Sequence, residues 1–300
     1  MKRTWLFSLS AVLLALFSLN AIAQRTAKPV RLEALPPTEK VEDLESEEPT
    51  VNAFMDGLIT VTTYPMTVGT DTLVDMTSGT TQLVAPSSDD TVSPLTDIGF
   101  DFFFDGVRHT QFSVNPNGLA KLGSPVITTA FNNATGFAVT TNAPKLAPYF
   151  DDLCTGTDGK VHYKVIGSAP NRTLVVEWFN MEMTRNGSCG SAGNGSFQMW
   201  LQETSGKVEF VYGELPAAAA VDSGYTVGIQ SGAATNFASV STLAGTVSYD
   251  THNSTQLDVI PAGKKFTFTP VAPTAPTNVS FSGVSAIAMT VNWTDNSSNE

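Results

Sequence analysis

The residues of this 300-residue chain that could most directly do chemistry are aspartates grouped in predicted turns. Asp151 and Asp152 follow an apolar stretch, and Asp158 lies shortly after them. A second acidic segment contains Asp89, Asp90, Asp97 and Asp101. Grouped carboxylates can bind Ca²⁺, which takes about six to eight oxygen ligands, although the spacing matches no EF-hand loop. The alternative is that these aspartates cap turns and keep the surface soluble. No cofactor is required by the sequence, and Ca²⁺ is the one that Asp151, Asp152 and Asp158 could hold.

Trp200 is the candidate for ligand binding. Met199 and Leu201 occupy one face of a predicted strand, which places Trp200 on the opposite face between Gln198 and Gln202. An exposed indole flanked by amides can stack on a sugar ring. If a loop or a neighbouring sheet covers this second face, Trp200 belongs to the core instead. The sequence leaves both alternatives open.

Cys154 and Cys189 are the two cysteines of the chain. An even number of cysteines in an exported protein indicates a disulfide, because the export route is oxidising. The alternative is a cysteine nucleophile that is assisted by His109, His162 or His252. Nothing in the sequence around either cysteine supports that alternative, so we predict a Cys154–Cys189 disulfide.

The common catalytic and nucleotide-binding motifs are missing from the sequence. It contains no HExxH, P-loop, GxSxG or GxGxxG pattern, and its three histidines lie in separate predicted strands and loops. A histidine metal site or a Ser-His-Asp triad would have to be assembled entirely by the fold. Paired carboxylates could hydrolyse glycosides, but their separation across a sheet cannot be read from sequence. We therefore predict that the protein is not an enzyme.

The charge composition disfavours two classes of partner. Lys and Arg together number 16 against 28 Asp and Glu, which gives a net charge of −12. Nucleic acids and anionic membrane surfaces are both recognised through basic surfaces, so neither is an expected partner. Charged residues make up 15% of the chain, compared with about 25% in an average soluble protein. A surface that relies on Ser, Thr, Asn and Gly instead is typical of an extracellular β-protein.

Residues 1–23 have the three parts of a secretory signal peptide. A basic pair, Lys2-Arg3, precedes the apolar run Leu6–Phe17, and a small-x-small cleavage motif ends at Ala23. The apolar run is shorter than the roughly 20 residues that span a membrane. We therefore predict a protein that is secreted or held at the cell surface, with no transmembrane segment after cleavage. Residues 24–50 are acidic and lack aromatic residues, which predicts a disordered linker.

Residues 51–270 show short strands that are separated by turn residues. Phe100, Phe102 and Phe104 alternate with other residues at the period of a strand, and Asp105-Gly106 then predicts a tight hairpin. Sustained helical spacing is absent after the signal peptide. We predict an all-β fold, an antiparallel β-sandwich or jelly-roll-like domain. Ten residues are predicted to form its core: Phe100, Phe102, Phe104, Phe150, Trp178, Phe197, Met199, Leu201, Val208 and Phe210.

Residues 271–300 change in composition again. A proline-rich linker precedes the strand-like segment Val279–Phe281, and a second alternating segment ends at Trp293. A two-stranded piece is marginally stable in water, so we expect the first strands of a domain that continues beyond residue 300.

Two stretches resemble known families. The segment Pro273–Pro276, with Val279, Phe281 and the second strand ending at Trp293, resembles the first strands of a fibronectin type III domain, which implies that Trp293 packs in a sandwich core. The region 64–270 resembles the non-catalytic β-sandwich that precedes such modules in secreted multidomain proteins of Bacteroidetes-like bacteria. Its stretch Pro148–Asp152 also looks like the start of nidogen-type extracellular domains. These resemblances imply a surface or secreted architecture and no catalytic residues.

The leading hypothesis is therefore a secreted or cell-surface, modular, non-catalytic protein with a structural or adhesive role. Extracellular glycans or surface proteins are its expected partners. Two alternatives remain open. One is a carbohydrate- or calcium-binding module, and the other is the accessory N-terminal region of a secreted hydrolase whose catalytic domain lies beyond residue 300.

Overall fold

The computed structural model describes residues 2–7, 61–135, 137–183, 189–216, 224–271, 275–285, 288–294 and 296. The chain divides into two compact units, Thr60–Val271 and Met1–Ile59 with Ala272–Glu300. The predicted signal peptide beyond Phe7, the predicted linker 24–50 and the first ten residues of the predicted sandwich domain lie outside the described residues.

The described residues contain strands and two 3₁₀ turns, Val61–Thr63 and Asn133–Thr135, but no α-helix. In chain order the strands are β1 (Lys2–Phe7), β2 (Met66–Thr70), β3 (Thr81–Val84), β4 (Thr96–Phe104), β5 (Val107–Asn115), β6 (Leu119–Leu122), β7 (Lys145–Phe150), β8 (Cys154–Ile166), β9 (Thr173–Glu182), β10 (Gly195–Gln202), β11 (Val208–Tyr212), β12 (Thr226–Gln230), β13 (Phe237–Ser241), β14 (Thr246–Ser248), β15 (Lys264–Phe268), β16 (Thr277–Ser282) and β17 (Met289–Thr294).

The larger unit is a sandwich of two seven-stranded antiparallel sheets. The β10 sheet has the order β2-β15-β11-β10-β9-β8-β3, and the β7 sheet has the order β14-β13-β12-β7-β6-β5-β4. Within the sheets, β8 to β11 and β4 to β7 each run as a meander, because strands that are consecutive in the chain are neighbours in the sheet. The predicted all-β, antiparallel sandwich class is confirmed.

The β4–β5 hairpin shows how local sequence sets the local structure. Its turn residues Asp105 and Gly106 both have positive φ, 54° and 73°, as a two-residue hairpin turn with the twist of the flanking strands requires. Phe104 then pairs with Val107. Phe100, Phe102 and Phe104 are buried, whereas the residues between them are only half-buried. The predicted hairpin and its alternation are confirmed.

Aromatic rings fill the space between the two sheets. Trp178 stacks on Phe197 with ring centroids 5.3 Å apart, and Tyr149 stacks on Tyr225 at 4.3 Å. The indole of Trp178 also reaches the opposite sheet, because its Nε1 donates to Asn115 O at 2.9 Å. All ten residues of the predicted core are buried. The core prediction is therefore confirmed.

The outer face of each sheet is also covered. Residues 71–80, called here the 71–80 strap, lie between β2 and β3 and cover the β10 sheet, where Met76 packs with Val175, Trp200 and Val211. Residues 123–144, called the 123–144 strap, lie between β6 and β7, and Ile127 and Phe137 of this strap pack on the β7 sheet. Strands beneath the straps are buried on both faces, as the unbroken burial of β7, β11 and β12 shows.

The smaller unit contains a three-stranded antiparallel sheet with the order β1-β17-β16. β16 and β17 pair from Ser282 with Thr290, and β1 pairs with the other edge of β17. The two C-terminal strands predicted from the sequence are thus present. Trp293 is half-buried within this unit, and its assignment to a fibronectin type III core stays a prediction.

Gly118 gives a test of the turn between β5 and β6. Its φ is +72°, and a Cβ atom there would lie 1.7 Å from Tyr149 O, whereas Gly79 has a similar φ of +69° with open space around it. We expect Gly79→Ala to lower the free energy of unfolding by about 1–2 kcal/mol through backbone strain alone. Gly118→Ala must also displace β7, so we expect a loss of more than about 3 kcal/mol.

Urea denaturation of the two variants measures both losses. Equal losses would show that the backbone of β7 accommodates the methyl group and that the close approach has no structural importance.

Candidate functional site at the aspartate cluster and the Trp200 face

The fold brings three carboxylates together at one end of the sandwich. Asp152 follows β7, while Asp89 and Asp90 lie in the loop between β3 and β4. One oxygen from each of the three lies within 4.8 Å of the others. The fold therefore brings Asp152 of the first predicted acidic group together with Asp89 and Asp90 of the second.

Asn117 positions this aspartate cluster. Its side chain donates to Asp90 Oδ1 at 3.1 Å and accepts from Leu153 N at 2.9 Å. Its own carbonyl accepts a hydrogen bond from Asp151 N at 3.3 Å. Asn117 is fully buried, so one amide in the β5–β6 turn fixes both loops that carry the carboxylates.

Thr155 makes a second link between the same two loops. Its hydroxyl accepts from Ser88 N at 2.8 Å and donates to Ala85 O at 2.7 Å. The segment that carries Asp89 and Asp90 is therefore tied to the start of β8 as well as to the β5–β6 turn. The Asn117 and Thr155 side chains therefore help to set the spacing of the cluster.

Asp158 is not part of the cluster. It accepts hydrogen bonds from Gly193 N at 3.0 Å and Asn180 Nδ2 at 2.9 Å, and the Gly193 bond holds the pKa of this exposed carboxyl below its usual value. Asp151 is buried, and its Oδ1 accepts from Asp152 N at 2.9 Å. Of the candidate ligands Asp151, Asp152 and Asp158, the structure therefore groups Asp152 with Asp89 and Asp90, and the role of all three candidates as ligands stays a prediction. Calcium binding itself stays a prediction.

Cys154 and Cys189 form a disulfide with Cα atoms 6.1 Å apart. It joins the start of β8 to the glycine-rich segment before β10. Glu182 supports the same segment, because its Oε2 accepts from Gly190 N and Ser191 N, both at 3.1 Å. The two cysteines therefore serve as a cross-link in this fold, and the nucleophile alternative has no free thiol to act.

Trp200 is 9% exposed. Met76 of the 71–80 strap packs with its ring, and its Nε1 donates to Gln198 Oε1 at 2.8 Å. The sequence placed Trp200 on the outer face of its strand correctly, but the structure shows this face covered. The proposal that an exposed Trp200 stacks on a sugar is therefore corrected, and the core alternative holds.

A buried polar network lies beside Trp200. His162 Nε2 is 2.7 Å from Glu177 Oε2, and Gln198 Nε2 donates to Glu177 Oε1 at 2.9 Å. Gln198 also exchanges two hydrogen bonds with the backbone of Val74, at 2.9 and 2.8 Å. The second ring nitrogen of His162 lies 3.1 Å from Thr80 Oγ1. A histidine–carboxylate pair of this kind could transfer protons, but here it is covered by the 71–80 strap and holds that strap in place.

Sequence reasoning missed this network. His162, Glu177 and Gln198 are direct cross-strand neighbours on β8, β9 and β10. Polar residues in the middle of each strand were visible, but their alignment depends on the strand register. That register is set by turns and bulges, such as the one between Thr155 and Lys160.

The other two histidines lie apart from this pair. His109 is on β5, and His252 lies in the loop after β14. Burial, and secondarily the charge of Lys121, lowers the pKa of His109 to about 4. In the part of the chain that the structure describes, no cluster of ligand atoms from three or more His, Cys, Asp or Glu residues contains a histidine.

Comparison with known proteins places the larger unit in a described family. A family model described as NIDO related matches residues 63–270, which run from the end of the first 3₁₀ turn to just beyond β15. No curated protein and no solved structure matches the chain. Within the described residues, a helix with the length and apolar composition needed to cross a membrane is absent.

The aspartate cluster predicts a response to both charge and calcium. Asp90→Asn keeps the oxygen that accepts from Asn117 and removes one of three crowded charges. We expect it to raise the free energy of unfolding by about 0.5–1 kcal/mol in metal-free buffer. Millimolar Ca²⁺ offsets the same repulsion in the unmodified chain, so we expect it to raise the melting temperature there more than in Asp90→Asn.

The control is Asp97→Asn, because Asp97 is also exposed and also accepts one amide hydrogen bond, from Gln111 at 3.0 Å. Thermal unfolding with and without Ca²⁺ compares the three chains. An equal calcium response in all of them would exclude the aspartate cluster as the calcium ligand.

The burial of Trp200 predicts that its replacement lowers the stability of the fold and does not remove a ligand contact. Trp200→Ala removes a buried ring beneath the 71–80 strap, and we expect a loss of about 3–5 kcal/mol in the free energy of unfolding. Phe131→Ala is the control, since Phe131 is 46% exposed and its loss should change stability by about 0.5 kcal/mol or less. Urea denaturation distinguishes the two, and similar small losses would contradict the burial of Trp200.

Proposed function

The chain belongs to the NIDO-related family, and from this membership we propose that it is a secreted or cell-surface, non-catalytic module with a structural or adhesive role. The match covers residues 63–270 of 300, which is nearly all of the larger unit. NIDO-related domains are an extracellular module type. Extracellular glycans or surface proteins are the partners that such a module would bind.

The non-catalytic part of the proposal rests on the burial and the contacts of the side chains that could be reactive. The His162 and Glu177 side chains are only 2% and 6% exposed, and their contacts lie within the sheet and the 71–80 strap. The thiols of Cys154 and Cys189 are bonded to each other. Groups that could carry acid–base or nucleophilic chemistry therefore stabilise the fold.

The extracellular part of the proposal has independent chemical support. Disulfides form and persist in oxidising compartments, and this one ties a glycine-rich segment whose own residues contribute little packing. The described part of the same segment is also held by hydrogen bonds from Gly190 N and Ser191 N to Glu182, and from Gly193 N to Asp158. The disulfide adds a covalent link to these contacts.

Localisation and oxidation test the proposal together. In cells that express the full coding sequence, we expect protease added outside intact cells to degrade the chain, unless it is already in the medium. Under denaturing, non-reducing conditions the chain should take up no thiol reagent, and after reduction it should take up two equivalents, one for each cysteine. A variant without residues 1–23 is the control that should remain inside the cell. Protection from protease combined with free thiols would contradict the proposal.

The adhesive role is tested by deleting the gene and measuring attachment of the cells to a surface. We expect attachment to fall at least severalfold and to be restored by the unmodified chain. Glu177→Gln keeps the shape of the buried network and removes the carboxylate that acid–base catalysis would need. We expect this variant to restore attachment as well. Failure of a folded Glu177→Gln chain would favour catalysis over adhesion.

A further inference from the structure

Strand β2 forms a free edge of the larger unit. It is the end strand of the β10 sheet, and among the described strands it pairs only with β15. Met66 is half-buried, and the other four residues of the strand are exposed. A free edge offers backbone N–H and C=O groups to another strand, so natural edges are usually short, bulged, charged or covered.

The strand register identifies which backbone groups of β2 point outward. Thr269 N donates to Pro65 O at 3.1 Å, just before the strand begins. Asp71 N donates to Gly263 O at 2.9 Å, just after it ends. Because hydrogen-bonding groups alternate between the two sides of an antiparallel strand, the odd-numbered residues of β2 bond to β15. The N–H and C=O groups that point away from the sheet belong to Met66, Val68 and Thr70.

The other three edges of the two large sheets are less suited to adding a strand. β14 has three residues, and β3 has four residues with an interrupted register. β4 changes register between Asp97 and Phe102, and within that interval Arg172 Nη1 donates to Gly99 O at 2.8 Å. All five residues of β2 pair regularly with β15, and none of them is charged or a proline. β2 is therefore the edge of this unit that is best able to pair with a further strand.

Exposed apolar side chains lie beside the free edge. Val68 is directly opposite Phe266, whose ring is fully buried, so Val68 faces the inside of the sandwich, yet it is 44% exposed. A Cβ atom on Gly245, in the turn between β13 and β14, would lie 3.2 Å from Val68 Cγ2. Leu243 in the same turn is 81% exposed. This side of the sandwich is thus open, and a strand added to β2 would cover Val68.

The charges next to β2 permit a second copy of this chain to bind there. The chain carries a net charge of −12, so two copies repel each other on average. Beside β2, however, Lys265 Nζ lies 2.9 Å from an Asp71 oxygen and 3.3 Å from a Glu209 oxygen. Lys264 adds a second ammonium on β15. The two carboxylates are therefore balanced by two lysines, and this edge lacks the negative excess of the whole chain.

We propose that two copies of this chain associate by antiparallel pairing of their β2 strands around a two-fold axis at Val68. In this register Val68 pairs with the second copy's Val68, and Met66 pairs with the second copy's Thr70. Every outward N–H and C=O group of β2 then gains a partner. Asp71 meets the second copy's Pro65, so no two carboxylates face each other. The two β10 sheets become one continuous sheet, and the two Val68 side chains cover each other.

The inference goes beyond the proposed function, because self-association is a property of the purified chain and does not depend on an adhesive role. A contact between two five-residue strands is smaller than a standard interface of about 1,600 Å². We therefore expect a weak, reversible dimer with a dissociation constant on the order of tens of micromolar.

Sedimentation velocity of the purified full chain tests the association over a range of about 1–200 µM, which brackets a weak interface of this size. We expect a reversible shift from monomer to dimer. Val68→Pro removes the central outward N–H and should abolish the shift, whereas Val68→Lys places two ammonium groups face to face and should weaken association at least tenfold. Val107→Lys is the matched control, since Val107 is a strand valine that is 55% exposed outside the proposed contact, and it should dimerise like the unmodified chain.

Cysteine cross-linking tests the register, because the two native cysteines are already bonded to each other. Cα atoms of a hydrogen-bonded antiparallel pair lie about 5.5 Å apart, which is within the range of a disulfide. Under mild oxidation Val68→Cys should form a covalent dimer by itself. Met66→Cys and Thr70→Cys should each cross-link poorly alone and form the covalent dimer when they are mixed.

Three results would overturn the proposal. They are a monomer throughout the concentration range, a dimer that Val68→Lys leaves unchanged, and cross-linking of Val68→Cys no faster than that of Val107→Cys. A monomeric chain would leave the β2 edge to a strand other than its own copy. If Val68→Pro fails to fold, Val68→Lys decides, because a lysine side chain at an exposed site can extend into solvent.

Discussion

The burial of both faces of the central strands β7, β11 and β12 is the constraint on which the rest of this structure depends. A strand that is covered on its two faces must satisfy any polar side chain inside the protein, since an unpaired buried amide costs about 1–3 kcal/mol. Two buried amides, Gln198 and Asn115, meet that requirement by bonding to the backbone of the straps. Gln198 both accepts from Val74 N and donates to Val74 O, which is the exchange that a neighbouring strand would make. Asn115 similarly binds two carbonyls of the 123–144 strap.

The two straps differ in how completely they cover the sheet beneath them. Over the β10 sheet, Met76 closes on Trp200, and the His162–Glu177 pair is sealed beneath the 71–80 strap. Over the β7 sheet, Ile127 and Phe137 pack against the strands, but a groove remains beside Lys145. Lys145 is itself 3% exposed, so the two straps differ in the surface beside the buried charge and not in the burial of that charge.

The sequence predicted the elements that are determined by interactions between residues close together in the chain. The β4–β5 hairpin was readable because its turn chemistry lies in two adjacent residues and its phenylalanines alternate on one side. Strand β7 is buried at all six positions, so it has no alternation to read, and the straps that bury it are distant in the chain. For the same reason the face of Trp200 was predicted but its coverage was not. The aspartate cluster failed similarly, because the grouping of Asp89 and Asp90 with Asp152 depends on the contacts of Asn117 and Thr155 and not on spacing.

The β5–β6 turn contacts the aromatic core, the aspartate cluster and the 123–144 strap. Asn115 O accepts from the indole of Trp178 in the aromatic core, and Asn117 holds the loops of the aspartate cluster. Gly118 closes the same turn against Tyr149 O, where no Cβ could fit. Since the Asn115 side chain also fixes the 123–144 strap, this one short connection is bonded to the core, to the aspartate cluster and to the strap. Asn115, Asn117 and Gly118 are therefore constrained by long-range contacts as much as by turn geometry, and movement of the turn would disturb the 123–144 strap and the aspartate cluster together.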